Sequence, residues 1–186
     1  MDQGEAVNSF SPTIIRDATE ADAPGIAALH AESWRSAYRD VLSERYLQDE
    51  VHAERLAVWR QRFSKAPEKP MFVVIAQTAA TLVGFACVFR EEHPAFGSFL
   101  DNLHVAPGLT GRGIGRKLLS ETAQRVVGSG SRQGLYLWVI ENHHDARRFY
   151  ERAGAQMTDS AMLPMPDRQR APVVRYYWSA PKSLVL

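Results

Sequence analysis

Apolar residues along this chain recur with two periods, one helical and one alternating, and the switches between them mark off its elements. Thr13 to Ala18 reads as a short first strand. Thr19 then offers a helix N-cap with Asp22 three residues on, an imperfect capping box. Ile26, Leu29, His30, Ser33, Trp34 and Ala37 fall at helical spacing, and a second helical stretch follows through Leu47, Val51, Leu56, Trp59 and Phe63, past a bend at Val41 to Ser43. Pro67 and Pro70 stop that pattern. Met71 to Gln77 and Leu82 to Arg90 are β-rich runs around the turn Thr78 to Thr81, an antiparallel hairpin by its short connection. In the second run both alternating sets are apolar, which predicts a central strand covered on both faces.

Glu91 to Gly97 reads as a loop, Ser98 to Ala106 as a strand, and Pro107 to Gly115 as a turn feeding a helix that ends near Gly128. A strand at Leu135 to Ile140, a helix at His143 to Ala153 and a last strand near Val173 to Trp178 complete the order, with a further strand possible around Ala155 to Asp159. The stretch Met162 to Pro172, with its three prolines, reads as a loop. The expected fold is α/β: one domain with a central mixed twisted β-sheet and helices on both faces, in which the unit from Ser98 to Ile140 is a right-handed parallel crossover. The domain is expected over residues 13–180, between a flexible N-terminal tail at 1–12 and a C-terminal tail at 181–186.

Composition narrows the functional classes. The 186 residues carry 22 Lys+Arg against 21 Asp+Glu, a formal net charge of +1. Such a balance supplies no overall field for nucleic acid or an anionic membrane, so any basic site must be local. The 45% hydrophobic and 23% charged residues suit a soluble globular chain. There is no apolar run of signal-peptide or membrane-spanning length, and the one cysteine, Cys87, cannot form an internal disulfide, so a reducing cytoplasm is the expected location. No Cys/His cluster has the spacing of a zinc site; the adjacent His143 and His144 would point about 100° apart on a helix, and no metal is expected. Cys87 in the central strand reads as a buried small hydrophobe rather than a nucleophile.

The local basic site is Leu103-His104-Val105-Ala106-Pro107-Gly108-Leu109-Thr110-Gly111-Arg112-Gly113-Ile114-Gly115-Arg116-Lys117-Leu118-Leu119. A strand ends at a proline, a glycine-studded turn follows, and an amphipathic helix begins with Arg116 and Lys117 in its first turn. The first N–H groups of a helix have no internal partners and carry about half a positive charge, so this corner suits a phosphate. It is neither a Walker loop, lacking the Gly-Lys-Ser/Thr ending, nor a dinucleotide fingerprint, since Arg116 stands where the third glycine is needed.

The segment closely resembles the acetyl-CoA-binding motif of the GNAT superfamily of N-acetyltransferases. Downstream, Leu137 to Ala155 (LWVIENHHDARRFYERAGA) resembles that family's second motif, with its Asn, Ala, Tyr and Gly at matching spacing. The resemblance extends over the element order from Thr13 to Trp178. It implies splayed strands forming an acetyl-CoA cleft, acetyl-CoA as cosubstrate, and transfer of an acetyl group to a primary amine by direct attack in a ternary complex. It further implies that Leu103, His104 and Val105 run beside the pantetheine arm and that Thr110, Gly111, Arg112, Gly113, Ile114, Gly115 and Arg116 hold the pyrophosphate. Thr110 departs from the family's usual Gln or Arg. Asn142 matches a cofactor-contacting position and Tyr150 the tyrosine that protonates the departing thiolate. A phenol with an ordinary pKa of about 10 suits that task.

An amine of pKa near 10 is about one part in a thousand free at pH 7, so the acceptor's proton must be removed. Many relatives carry a Glu on the fourth strand where this chain has Phe99. Asp101, expected on the same strand face as Phe99, Leu103 and Val105, is the base candidate, directly or through water; a structural carboxylate bonded to a neighbouring element is the competing reading. His104, on the opposite face, also reads as packed. Trp34 and Tyr38 near the end of the first helix are candidates for lining the acceptor pocket, with a small-molecule or peptide amine as the expected partner and a homodimer as a possible assembly. A non-catalytic CoA-sensing or partner-binding domain with the same fold is the alternative.

Overall fold

The structure is a computed structural model and describes residues 12–64, 70–129 and 134–186; Pro67 and all of the expected N-terminal tail except Pro12 lie outside them. After strand β1 (Ile14–Asp17), Asp22 accepts from the Thr19 N–H at 2.8 Å, which turns the chain through a 3-10 turn (Glu20–Asp22) into helix α1 (Ala23–Ala37). A π-helical turn at Tyr46–Glu50 runs directly into α2 (Val51–Ser64). Strands β2 (Met71–Thr78), β3 (Thr81–His93) and β4 (Gly97–Val105) follow. Helix α3 (Ile114–Gly128), β5 (Leu135–Ile140), α4 (His144–Arg152), β6 (Gln156–Pro164) and β7 (Arg170–Trp178) complete the order.

The seven strands form one sheet in the order β1-β2-β3-β4-β5-β7-β6. Every neighbouring pair is antiparallel except β4 and β5, which are parallel. As expected of a central strand, β3 is buried continuously from Val83 to Val88. Its two alternating sets serve two cores. Phe85 and Cys87, with Val73 and Ile75 of β2, meet α1 and α2 through Ile26, Ala27 and Trp59. Ala86 and Val88, with Val74 and Ala76, meet α3 through Leu118, Leu119, Ala123 and Val126. Burying a leucine such as Leu118 contributes roughly 2 kcal/mol of transfer free energy.

Two stretches expected as loops are paired instead. β3 continues to His93 and β4 begins at Gly97, because the His93 imidazole accepts the Ala95 and Phe96 N–H groups (3.1 and 3.3 Å) and closes a tight turn. The proline-rich stretch 162–172 is the end of a β6–β7 hairpin. Its turn is held by Asp167, whose Oδ1 accepts from the Gln169 N–H and whose Oδ2 accepts from the Ser43 N–H at 2.8 Å, tying the hairpin tip to the α1–α2 connection. The residues expected as a C-terminal tail also pack: Pro181–Leu184 forms a 3-10 turn, Leu184 is 1% exposed in the core with α3, and the Leu186 N–H donates to Ser120 Oγ.

Candidate active site

The parallel ladder between β4 and β5 has only two registered pairs, Ser98↔Leu135 and Phe99↔Tyr136. Beyond them the strands part, and the gap opens into a cleft of about 1040 Å³. The Ala106 N–H donates to Val83 O on β3 (2.9 Å). By the alternation of an antiparallel ladder, the N–H groups of Leu103 and Val105 therefore point away from β3, into the gap that β5 has left.

At one end of the gap lies the glycine turn. Gly111 and Gly113 have φ of +78° and +81°, a left-handed backbone that side chains rarely adopt, and a Cβ on either would meet nothing within 4 Å. The turn therefore presents bare main chain to the cleft at the start of α3. Thr110, Gly111, Gly113, Gly115 and Arg116 line the cleft. Arg112 and Ile114 do not; the Ile114 side chain is buried in the α3 core, so only its main chain is placed to serve a ligand. Asn142, just before α4, lines the cleft as well.

Tyr150 rises from α4 into the same cleft, 8% exposed, and among the described residues its hydroxyl has no hydrogen-bond partner. Burial, with the nearby Tyr38 hydroxyl, raises its pKa well above the ordinary phenol value. It remains a proton donor at any physiological pH.

Asp101 lines the cleft but not on the expected face. Cys87 pairs with Asn102 and Val88 with Leu100, so Asp101 is the extra residue of a β-bulge. The bulge breaks the alternation: Leu100, Leu103 and Val105 pack toward α3 and α4, whereas Asp101 reaches α2. There Arg62 Nη1 donates to Asp101 Oδ2 (2.7 Å) and Asn102 Oδ1 (3.2 Å). Oδ1 of Asp101 has no partner among the described residues.

His104 lines the cleft between Leu103 and Val105, but its ring turns away from the α3 face. The same alternation turns its N–H toward β3, and its ring stacks on Phe85 (5.2 Å) and lies 4.6 Å from His30, on the α1–α2 face. Burial pushes its pKa down to about 3. His30 is 1% exposed and its Nδ1 accepts from Trp59 Nε1 at 3.1 Å, so Nε2 carries the proton. Trp34 does not line the cleft; it lies edge-on to His30 and under the Arg55 guanidinium (4.5 Å), while Tyr38 lines the cleft as expected.

Sequence reading missed Ser33, Ser36, Trp138 and His143 in the lining. The alternation of β5 signals Trp138: Leu137 and Val139 face the core with α3, so Trp138 turns the other way, toward Tyr38 and Ile140. Cys87 is buried, with its thiol pushed up to about 12 by desolvation. No described helix is long and apolar enough to cross a membrane.

Residues 28–155 match the model of the acetyltransferase (GNAT) family. The chain belongs to that family. The GNAT chain is 27% identical over 132 residues to the uncharacterized N-acetyltransferase YuaI of Bacillus subtilis, covering 69% of this chain and 72% of that one. Among solved structures it resembles the PaiA N-acetyltransferase of Thermoplasma acidophilum, solved with coenzyme A: TM-score 0.71, 18% identity, 90% of this chain and 99% of that one. YncA of Salmonella typhimurium, solved with acetyl-CoA, aligns at TM-score 0.63 and 17% identity, over 91% of this chain and 95% of that one. These likenesses extend the GNAT fold over both the helical N-terminal part and the β6–β7 hairpin.

Proposed function

We propose that this GNAT chain is an acetyl-CoA-dependent N-acetyltransferase that passes the acetyl group to a primary amine by direct attack in a ternary complex. The observation that carries the reading is the parting of β4 from β5 directly beside the bare glycine turn. The residues present fit acetyl-CoA. Main chain free of Cβ atoms, a helix start and Arg116 suit a pyrophosphate, and the outward N–H groups of Leu103 and Val105 suit an extended arm that substitutes for the missing strand pairing. Bound acetyl-CoA supplies an activated thioester.

The chain's own groups then divide the work. Tyr150, buried and protonated, donates a proton to the departing sulfur. Asp101, with Oδ2 held by Arg62, keeps Oδ1 to take a proton from the acceptor ammonium, directly or through water, which frees the neutral amine to attack. Tyr38, Ser33 and Ser36 border the side from which the amine enters. Acetyl-CoA is expected to raise the melting temperature of the full chain and, with a suitable amine, to release thiol. Absence of stabilisation at millimolar acetyl-CoA would sink the reading, and stabilisation without release on any amine would favour a CoA-sensing domain.

A further inference from the structure

Among the carboxylates in and around the cleft, Asp101 keeps one oxygen, Oδ1, open before any acceptor arrives, and each of them is already ion-paired. The lining holds two carboxylates, Asp101 and Asp145, and each is ion-paired, to Arg62 and to Arg148. Around it, Glu54 is paired with Arg55 and Asp159 with Arg175. Three of these guanidiniums are also fixed by ring faces: Arg55 over Trp34 (4.5 Å), Arg62 over Trp59 (4.9 Å), and Arg175 over Phe96 (3.7 Å) and Trp138 (5.0 Å). A guanidinium held at its edge by a carboxylate and on its face by a ring is costly to displace. Glu54, Asp101 and Asp159 are therefore engaged, and a second ammonium brought near them, or near the exposed Asp145 beside Arg148, would also face an arginine.

Two of the lining imidazoles add no charge. Burial lowers the pKa of both His104 and His143, so both are neutral at pH 7. What the wall offers instead is ring surface. Tyr38 and Trp138 both line the cleft, are half-buried, and pack on the apolar cluster of Ile140, Ala171 and Val173. The tip of the β6–β7 hairpin backs that cluster through Met165.

Resting on the transferase reading above, we propose that the acceptor is an arylalkylamine: one primary amine on an uncharged body with an aromatic ring, the ring against Tyr38 and Trp138 and the amine toward Asp101. The charge pattern sets the limit of one ammonium, and the paired rings favour a planar apolar body, which buries large area with few rotatable bonds. Polyamines, which need further carboxylates, are poor acceptors.

The test is thiol release by the full chain with acetyl-CoA and three probes: 2-phenylethylamine, tryptamine and spermidine. Either aryl probe is expected to exceed spermidine in kcat/KM by about tenfold or more. Trp138→Ala should raise the KM for the preferred aryl probe about tenfold while leaving the KM for acetyl-CoA unchanged, and Trp138→Phe should restore most of the loss. If Trp138→Ala does not fold, Trp138→Leu, which keeps bulk without the ring, carries the same expectation. Equal or better use of spermidine, or an acceptor KM indifferent to loss of the ring, overturns the acceptor assignment and leaves the transferase reading standing. Failure to release thiol with any amine overturns both.

Discussion

Arg62 on α2 and Asp101 on β4 meet at 2.7 Å at the very residue where the β3–β4 register slips. Without the bulge, Asp101 would lie on the α3 face of the sheet with Leu103 and Val105; with it, a carboxylate of the cleft is anchored to the opposite helical layer. Asp101→Asn keeps the shape and removes the negative charge. It is expected to lower kcat by about ten- to a hundredfold, with the loss greatest below the acceptor's pKa, and to leave the KM for acetyl-CoA unchanged. A flat pH dependence of the loss would leave Asp101 a purely structural partner of Arg62. Arg62→Met should instead destabilise the fold by about 1–3 kcal/mol in urea, since it strands a half-buried carboxylate.

Tyr150→Phe removes only the hydroxyl, which has no protein partner to lose among the described residues. Stability and the thermal shift given by acetyl-CoA should therefore stay near those of the parent, while turnover falls by about a hundredfold. The split between binding and turnover is the readout, and unchanged turnover would remove the acid role.

Gly113 precedes α3 at φ +81°, with open space where a Cβ would stand. Gly113→Ala meets no clash, so its cost to folding is the left-handed backbone alone, about 1–2 kcal/mol. The turn's N–H groups, however, must keep their directions to serve a pyrophosphate. Affinity for coenzyme A, measured by calorimetry, is expected to fall by about tenfold or more. An affinity equal to that of the parent would move the pyrophosphate away from this turn.

The order of elements was legible because most of them bury one periodic face, and the glycine turn was legible because its residue types announce a backbone need. The departures share a different cause. The bulge at Asp101 inserts one residue into an otherwise regular strand, and nothing in Phe99 to Val105 marks the slip. The β6–β7 hairpin was hidden because Pro164 and Pro172 read as breakers, although Pro164 ends a strand and Asp167 supplies the turn between them. Trp138 belongs to the site only because β5 parts from β4, a relation between strands distant in sequence. Leu184 looked like part of a tail because the core it joins, with α3, is built from residues distant in sequence.

His30 and His104 make the fold sensitive to acid. Both are held well below the ordinary imidazole value, first by burial, with the neighbouring charges of Arg55 and, for His30, Arg62 adding to the effect; His143 acts likewise on His104. Because the unfolded chain takes up protons on these rings near pH 6.5 and the folded chain resists to about pH 3 for His104, the unfolded state binds more protons between those limits. Stability is therefore full above about pH 6.5 and declines as pH falls through that window, by up to about 1.4 kcal/mol per pH unit for each ring. Carboxylates titrating at lower pH add to the slope, so the comparison is made between proteins. His104→Phe, which keeps a ring against Phe85, should lose less stability between pH 7.5 and 5.0 in urea unfolding than the parent does. Equal losses in the two proteins would mean that the His104 ring protonates as freely in the fold as in the unfolded chain.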